Sequence, residues 1–301
     1  MEEEEQKKEN FLKKIYRKQY KKLLIIPALL LLLALLQIGF QTANTGDFLN
    51  KGVSLKGGLT VTIETDADII ELEGYLNDNF PSADISVRKI SKTGEQIGVI
   101  IEASDVGADS LVSLLEEKLE VEREEYSIEV MGSSLGASFF RETFRALILA
   151  FVFMGIVVFI YFRIPVPSIA VILSAFSDII VTLAIVNVMG IKLSTAGIAA
   201  FLMLIGYSVD TDILLSTRVL KRKGGEVLDR VFKAMKTGFT MSITTIVAIF
   251  VALIFSQSEV LKQIMTILLI GLFVDLINTW IQNAGILRWY VKRKRNKYEE
   301  S

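Results

Sequence analysis

Four aspartates, Asp178, Asp210, Asp212 and Asp275, each sit within a long apolar run that contains no Lys or Arg. A carboxylate at the centre of a membrane helix costs roughly 2.5–3.5 kcal/mol on insertion scales, so it is kept where it pairs, meets water or takes part in transport. The chain has no His and no Cys. Proton chemistry therefore falls to carboxylates, hydroxyls or water, and disulfides and thiolate metal sites are excluded. The stretch GYSVDTDILL holds Asp210 and Asp212 two residues apart. That is about 200° around a helix, so they face different ways. Gly206 lies one turn before Asp210 and opens that face to another helix. Asp212 shares its side with Ser208 and Ser216, and Asp275 shares its side with Gly271 and Thr279. This pattern casts Asp210 as the carrier of a proton or another cation, Asp178 as the next relay position and Asp212 as the exit toward the cytoplasm. Pairing between helices is the structural alternative, and for Asp212 the partner would be Arg218.

The elements that must hold these residues are membrane helices. The chain has 301 residues, 51% of them hydrophobic, with a mean hydropathy of +0.48, which points to a multi-span membrane protein. Six segments are long enough to cross a hydrocarbon core of about 30 Å: residues 23–40, 144–162, 168–189, 194–216, 239–255 and 263–287. Asp178 and Asp275 fall near the middle of their segments. Asp210 falls ~7–8 Å past the middle of its own, and Asp212 ~3 Å further, at the helical rise per residue. Basic residues crowd before the first segment (Lys7, Lys8, Lys13, Lys14, Arg17, Lys18, Lys21, Lys22), between the fourth and fifth (Arg218, Lys221, Arg222, Lys223, Arg230, Lys233, Lys236) and after the sixth (Arg288, Lys292, Arg293, Lys294, Arg295, Lys297). With six crossings all three stretches share one side, which the distribution of Lys and Arg makes cytoplasmic. Both termini, 1–22 and 288–301, are then cytoplasmic basic segments. The first span reads as an uncleaved anchor, because Thr42-Ala43-Asn44 is a poor match to a signal-peptidase site.

Residues 41–143 form the expected extracytoplasmic domain, and residues 41–140 hold 7 Lys and Arg against 19 Asp and Glu, a net charge of −12. Residues 59–64 alternate as a strand. Residues 66–79 read as a helix capped by Asp66 or Asp68. Residues 85–90 and 97–102 alternate around the turn Lys92-Thr93-Gly94-Glu95. A second helix, capped by Ser104 or Asp105, runs to about Val121, and residues 126–131 close the unit as a strand. The order β-α-β-β-α-β is that of a ferredoxin-like α+β domain. Ahead of it stands GVSLKGG, with Gly52, Gly57 and Gly58. It reads as a tight joint between membrane and domain. A phosphate-cradling loop fits less well, because no strand precedes it and no helix follows directly.

At these residues the chain resembles the SecD/SecF family of protein-export membrane proteins, in the RND superfamily, on its SecF side and in its archaeal form. The resemblance covers nearly the whole chain. GVSLKGG is similar to the family's G-x-x-x-x-G-G. Phe176-Ser177-Asp178-Ile179-Ile180-Val181-Thr182 is similar to H-D-x-x-x-T in the third span, with Ser177 in place of His. Gly206-Tyr207-Ser208-Val209-Asp210-Thr211-Asp212 is similar to G-Y-S-x-N-D-T, with Asp210 where the family has Asn, Thr211 where it has Asp and Asp212 where it has Thr. Ser242-Ile243-Thr244-Thr245 resembles the fifth-span Ser/Thr run, and Gly271-Leu272-Phe273-Val274-Asp275 resembles G-x-x-V-G, with Asp275 replacing Gly. The resemblance implies a non-enzymatic subunit that assists Sec-dependent translocation, driven by an ion gradient through the membrane aspartates. Its implied partners are a SecD-like subunit, the Sec channel, unfolded secreted polypeptides and membrane lipid, with no nucleic acid and no cofactor. Three other readings compete. A half-size RND small-molecule exporter normally has larger, doubled outer domains. An intramembrane aspartyl protease needs Y-D and G-x-G-D spacings that are missing here. A scaffold would use the aspartates only as glue.

Overall fold

The computed structural model describes residues 19–92, 95–221, 226–256 and 258–299. The basic residues Lys7, Lys8, Lys13, Lys14, Arg17, Lys18, Arg222 and Lys223, and the turn residues Thr93 and Gly94, lie outside the described residues. Helix α1 spans Ile25–Thr45, and a single turn α2 spans Val53–Lys56. A sheet unit follows: β1 (Gly58–Ile63), α3 (Ile69–Asn79), β2 (Asp84–Lys92), β3 (Glu95–Ser104), α4 (Ala108–Leu119) and β4 (Tyr126–Met131). Five long helices complete the chain: α5 (Ser133–Phe162), α6 (Pro165–Val188), α7 (Thr195–Leu220), α8 (Val227–Phe255) and α9 (Glu259–Ile277). The last continues through a π-helical stretch, Asn278–Asn283, into α10 (Ala284–Glu299). Six helices are long and apolar enough to cross a membrane. Of these α6 and α7 are the most enclosed, with α1, α5 and α8 largely open on the outside.

The sheet is antiparallel throughout, in the order β2-β3-β1-β4. Alternation buries Leu59, Val61 and Ile63 on one face of β1, and Val99, Ile101 and Ala103 on β3. Leu72 and Leu76 of α3 and Leu111 and Leu115 of α4 complete the same core, each pair four residues apart on one helical face. Asp68 caps α3 by accepting from the backbone N–H of Ile70 at 2.9 Å and of Glu71 at 3.0 Å, which satisfies two of the helix's orphan donors. The cap expected for α4 at Ser104 or Asp105 is not there. Strand β3 runs on through Ser104, whose buried hydroxyl donates to the Gly57 carbonyl at 2.8 Å. Asp105 turns the chain with φ of 64° and pairs with Lys56 at 2.9 Å. The helix starts only after Gly107, with no side-chain cap. The sheet unit's core is built wholly from its own residues, so a fragment of residues 58–131 is expected to unfold cooperatively in water. Circular dichroism during denaturant titration checks this, and an unstructured fragment would show that the unit needs the membrane helices.

The chain between α1 and β1 belongs to the bundle. Leu49 and Leu55 join the apolar cluster of α6, α7 and α9. The Gly52 N–H donates to the Leu193 carbonyl at 2.8 Å, and the Leu193 N–H donates to Asn50 at 2.7 Å, which ties this segment to the α6–α7 loop. The glycine run then makes the corner into the sheet. Gly57 (φ 92°, ψ 163°) occupies a region essentially open to glycine alone, and Gly58 follows with φ of 136°. A Cβ on Gly57 would stand 2.4 Å from the Ser133 Cα, and one on Gly58 2.3 Å from the Ala103 carbonyl oxygen. The motif works as a backbone-on-backbone joint between membrane helix and sheet.

Candidate functional site: a buried carboxylate cluster

Asp178 of α6, Asp212 of α7 and Asp275 of α9 are fully buried, and they lie among the same three helices. Close approach of α7 and α9 makes this possible: a Cβ on Gly271 would meet the Leu204 Cδ2 at 2.5 Å. Each carboxylate is held by neutral donors. Asp178 accepts from the Ser208 hydroxyl at 2.5 Å and from the Asn278 Nδ2 at 2.7 Å. Asp275 accepts from the Thr279 hydroxyl at 3.0 Å and lies 3.3 Å from that of Thr211. Asp212 accepts from the Asn283 Nδ2 at 2.7 Å through one oxygen. Its other oxygen, Oδ2, has no hydrogen-bond partner among the described residues, and neither do the buried oxygens of Ser174, Ser216, Asn278 and Asn283 (Oδ1 in both). Ser177, which stands where the family pattern has His, donates to the Leu173 carbonyl at 2.8 Å and accepts from the Gln282 Nε2 at 3.3 Å.

The Thr211 hydroxyl has one proton and more than one acceptor. It donates to its own helix at the Ser208 carbonyl at 2.9 Å, or toward Asp275 at 3.3 Å. With the first bond made, its lone pairs are free to accept a hydrogen bond from Asp275 when that carboxyl group is protonated. The hydroxyl can therefore face either protonation state of that carboxyl group.

Asp210 is apart from the other three. It is exposed on the opposite side of α7, in line with Met203, Gly206 and Tyr207, as a separation of about 200° from Asp212 requires. Gly206 has open space where a Cβ would be. The pairing of Asp212 with Arg218 does not form: Asp212 is held by Asn283, and Arg218 donates to the Lys233 carbonyl at 2.7 Å. In the fifth-span run Ser242 is buried, while Thr244 bonds back to its own helix at Met241, at 2.8 Å.

The amide partners went unread in the sequence, although the signal was present. Asp275, Asn278, Thr279, Gln282 and Asn283 recur at i, i+3, i+4, i+7 and i+8, a polar stripe on a helix otherwise apolar. The π-helical stretch Asn278–Asn283 lies within that stripe, and such widened turns recur at functional sites.

The family profile described as "Protein export membrane protein SecD/SecF, C-terminal" matches residues 112–293, more than half of the chain. The chain belongs to the SecD/SecF family. Its SecD/SecF relatives carry the name "Protein-export membrane protein SecF". That from Pyrococcus furiosus is 40% identical over 257 residues, spanning 84% of this chain and 85% of the relative. That from Methanocaldococcus jannaschii is 41% identical over 275 residues, 88% of this chain and 93% of the relative. That from Methanothermobacter thermautotrophicus is 43% identical over 251 residues. Among solved structures, SecDF from Thermus thermophilus, titled a translocon-associated membrane protein, superposes with a TM-score of 0.71 at 19% identity, over 91% of this chain and 38% of that one. SecDF in a super-membrane-facing form gives a TM-score of 0.55 at 20% identity, over 92% of this chain and 39% of that one. This SecD/SecF chain thus shares their fold across little more than a third of their length. With its six apolar helices it is a multi-pass membrane protein of the Sec export family.

Proposed function

We propose that the protein is the SecF-type subunit of a complex with a SecD-like chain, that it assists Sec-dependent translocation, and that an ion, taken here as the proton, drives it through Asp178, Asp212 and Asp275. In this reading both termini are cytoplasmic, as the Lys and Arg distribution favours, and the sheet unit is an extracytoplasmic ferredoxin-like domain. Its β-α-β-β-α-β order and its sheet order β2-β3-β1-β4 support that class. The Sec channel and unfolded secreted polypeptides complete the set of partners.

The observation that carries the reading is a set of three buried carboxylates with only hydroxyl and amide partners among the described residues. A protein keeps such groups in a membrane where they titrate or move charge. Moving one charge through the membrane potential delivers roughly 2.3 kcal/mol per 100 mV. That biases two conformations only if they differ in affinity for the ion, and a carboxylate alternately dry and wetted differs in this way. The family pattern places Asp where this chain has Thr211, and the carboxylate facing Thr211 is that of Asp275. In our reading the charge has moved from α7 to α9 while its place in the cluster is kept.

The exposed stripe of Met203, Gly206, Tyr207 and Asp210 is the proposed seat of the SecD-like subunit. A carboxylate turned toward lipid at this depth would be costly, and a partner helix can approach closely at Gly206. Single cysteines at Gly206 and Tyr207, in a chain with no other Cys, are expected to crosslink to the SecD-like subunit in native membranes. Crosslinks only to lipid or to a second copy of this chain would overturn the assignment.

A further inference from the structure

We propose a binding site for an anionic membrane lipid between α1, α5 and α6, with its headgroup on Arg141 and Arg145. A groove of about 400 Å³ opens there, lined among others by Ile38, Phe144, Ile148, Val152, Phe176 and Ile179, and its surface is almost wholly apolar. That volume lies within the range of small-ligand sites, roughly 300–1,000 Å³. Ile148 and Val152 are about half exposed at its mouth. A second recess sits beside it toward the sheet unit, and Phe144 lines both. Four cations border this recess: Lys51, Lys56, Arg141 and Arg145.

Two of the four are already engaged. Lys51 pairs with Asp47 at 2.5 Å and lies over the Phe140 ring, and Lys56 pairs with Asp105 at 2.9 Å. Arg141 and Arg145 are exposed and form no ion pair among the described residues. Positions 141, 145, 148 and 152 fall on one face of α5 at helical spacing. One surface therefore runs from two guanidinium groups to two apolar residues over ~16 Å at the helical rise, about half of a ~30 Å hydrocarbon core. Guanidinium groups match phosphate oxygens through paired N–H donors, and the groove below them accepts an acyl chain. A zwitterionic lipid satisfies the groove but gains less from two uncompensated cations. The occupant with both chemistries is an anionic phospholipid.

The test is native mass spectrometry of the full-length chain in detergent, titrated with dioleoylphosphatidylglycerol or dioleoylphosphatidylcholine. The chain is expected to favour phosphatidylglycerol. In Arg141→Gln/Arg145→Gln that preference should fall by about thirtyfold, the equivalent of ~2 kcal/mol at 1.4 kcal/mol per tenfold and about 1 kcal/mol per basic residue at a membrane surface. Val152→Trp, at a half-exposed position that tolerates bulk, should weaken the first bound lipid of both kinds. An unchanged preference in the double variant would place anionic selectivity in other basic segments and overturn the site. Loss of the bound lipid on co-expression of a SecD-like subunit would overturn it too, because the groove would then be a protein interface.

Discussion

Asp275→Asn is expected to leave the protein inserted and bound to its partner, yet to reduce its support of secretion by roughly tenfold or more, because coupling at ~2.3 kcal/mol per charge per 100 mV is lost with the titrating group. The substitution keeps shape. The amide oxygen still accepts from Thr279, which lies at 3.0 Å, and the new N–H groups find the Thr211 oxygen. Asp178→Asn and Asp212→Asn should behave alike, since each carboxylate sits in the same buried cluster. Asp210→Asn should instead weaken the crosslink at Gly206, because that side chain lies on the open face of α7. The measurement is export of a reporter in cells depleted of the native protein, with membrane abundance followed in parallel. Normal export by all three cluster variants, at normal abundance, would make the aspartates structural and end the ion-coupling proposal.

Gly57→Ala should cost more stability than any single surface change in the sheet unit. The backbone there lies in a region that costs about 1–3 kcal/mol even for residues held in it by their surroundings. The added methyl would also stand 2.4 Å from the Ser133 Cα, which is backbone and cannot rotate away. We expect a combined loss of about 3 kcal/mol or more, since overpacking alone costs roughly 1–3 kcal/mol. It should appear as a lower melting temperature of the full-length chain and faster proteolysis near residue 57. The fragment of residues 58–131 lacks this position and keeps its whole apolar core, so it provides the control. An unchanged melting temperature in Gly57→Ala would show that the joint is looser than the geometry implies.

Much of this architecture is local and so can be read from the chain. The six apolar runs, the alternating strands and the Asp68 cap depend on residues close in sequence, and each has a counterpart in the structure, although the helices over the second and fifth runs begin well before them, at Ser133 and Val227. The opposition of Asp210 and Asp212 follows from helical periodicity alone. The α4 cap differs because Ser104 pairs with Asp84 as the last residue of β3 and spends its hydroxyl on Gly57, 47 residues away, which no local pattern reveals. The reason Asp212 and Arg218 do not pair is local: six residues apart on one helix, they lie about 120° apart around it and ~9 Å apart along it, and the Asn283 amide holds the carboxylate instead.

Residue types and spacing were enough to establish that carboxylates lie inside apolar runs long enough to span a membrane, that no cation accompanies them in those runs, and that a glycine run stands between the first apolar run and the polar segment after it. They follow from composition and from the 3.6-residue period. Which carboxylates meet was settled by packing. Small residues such as Gly271 let α7 and α9 approach, and the π-helical stretch carries Asn278 and Asn283 into reach of Asp178 and Asp212. These two amides lie 100 and 71 residues along the chain from the carboxylates they hold. Only the close packing of three helices around a shared polar interior brings them within hydrogen-bond distance.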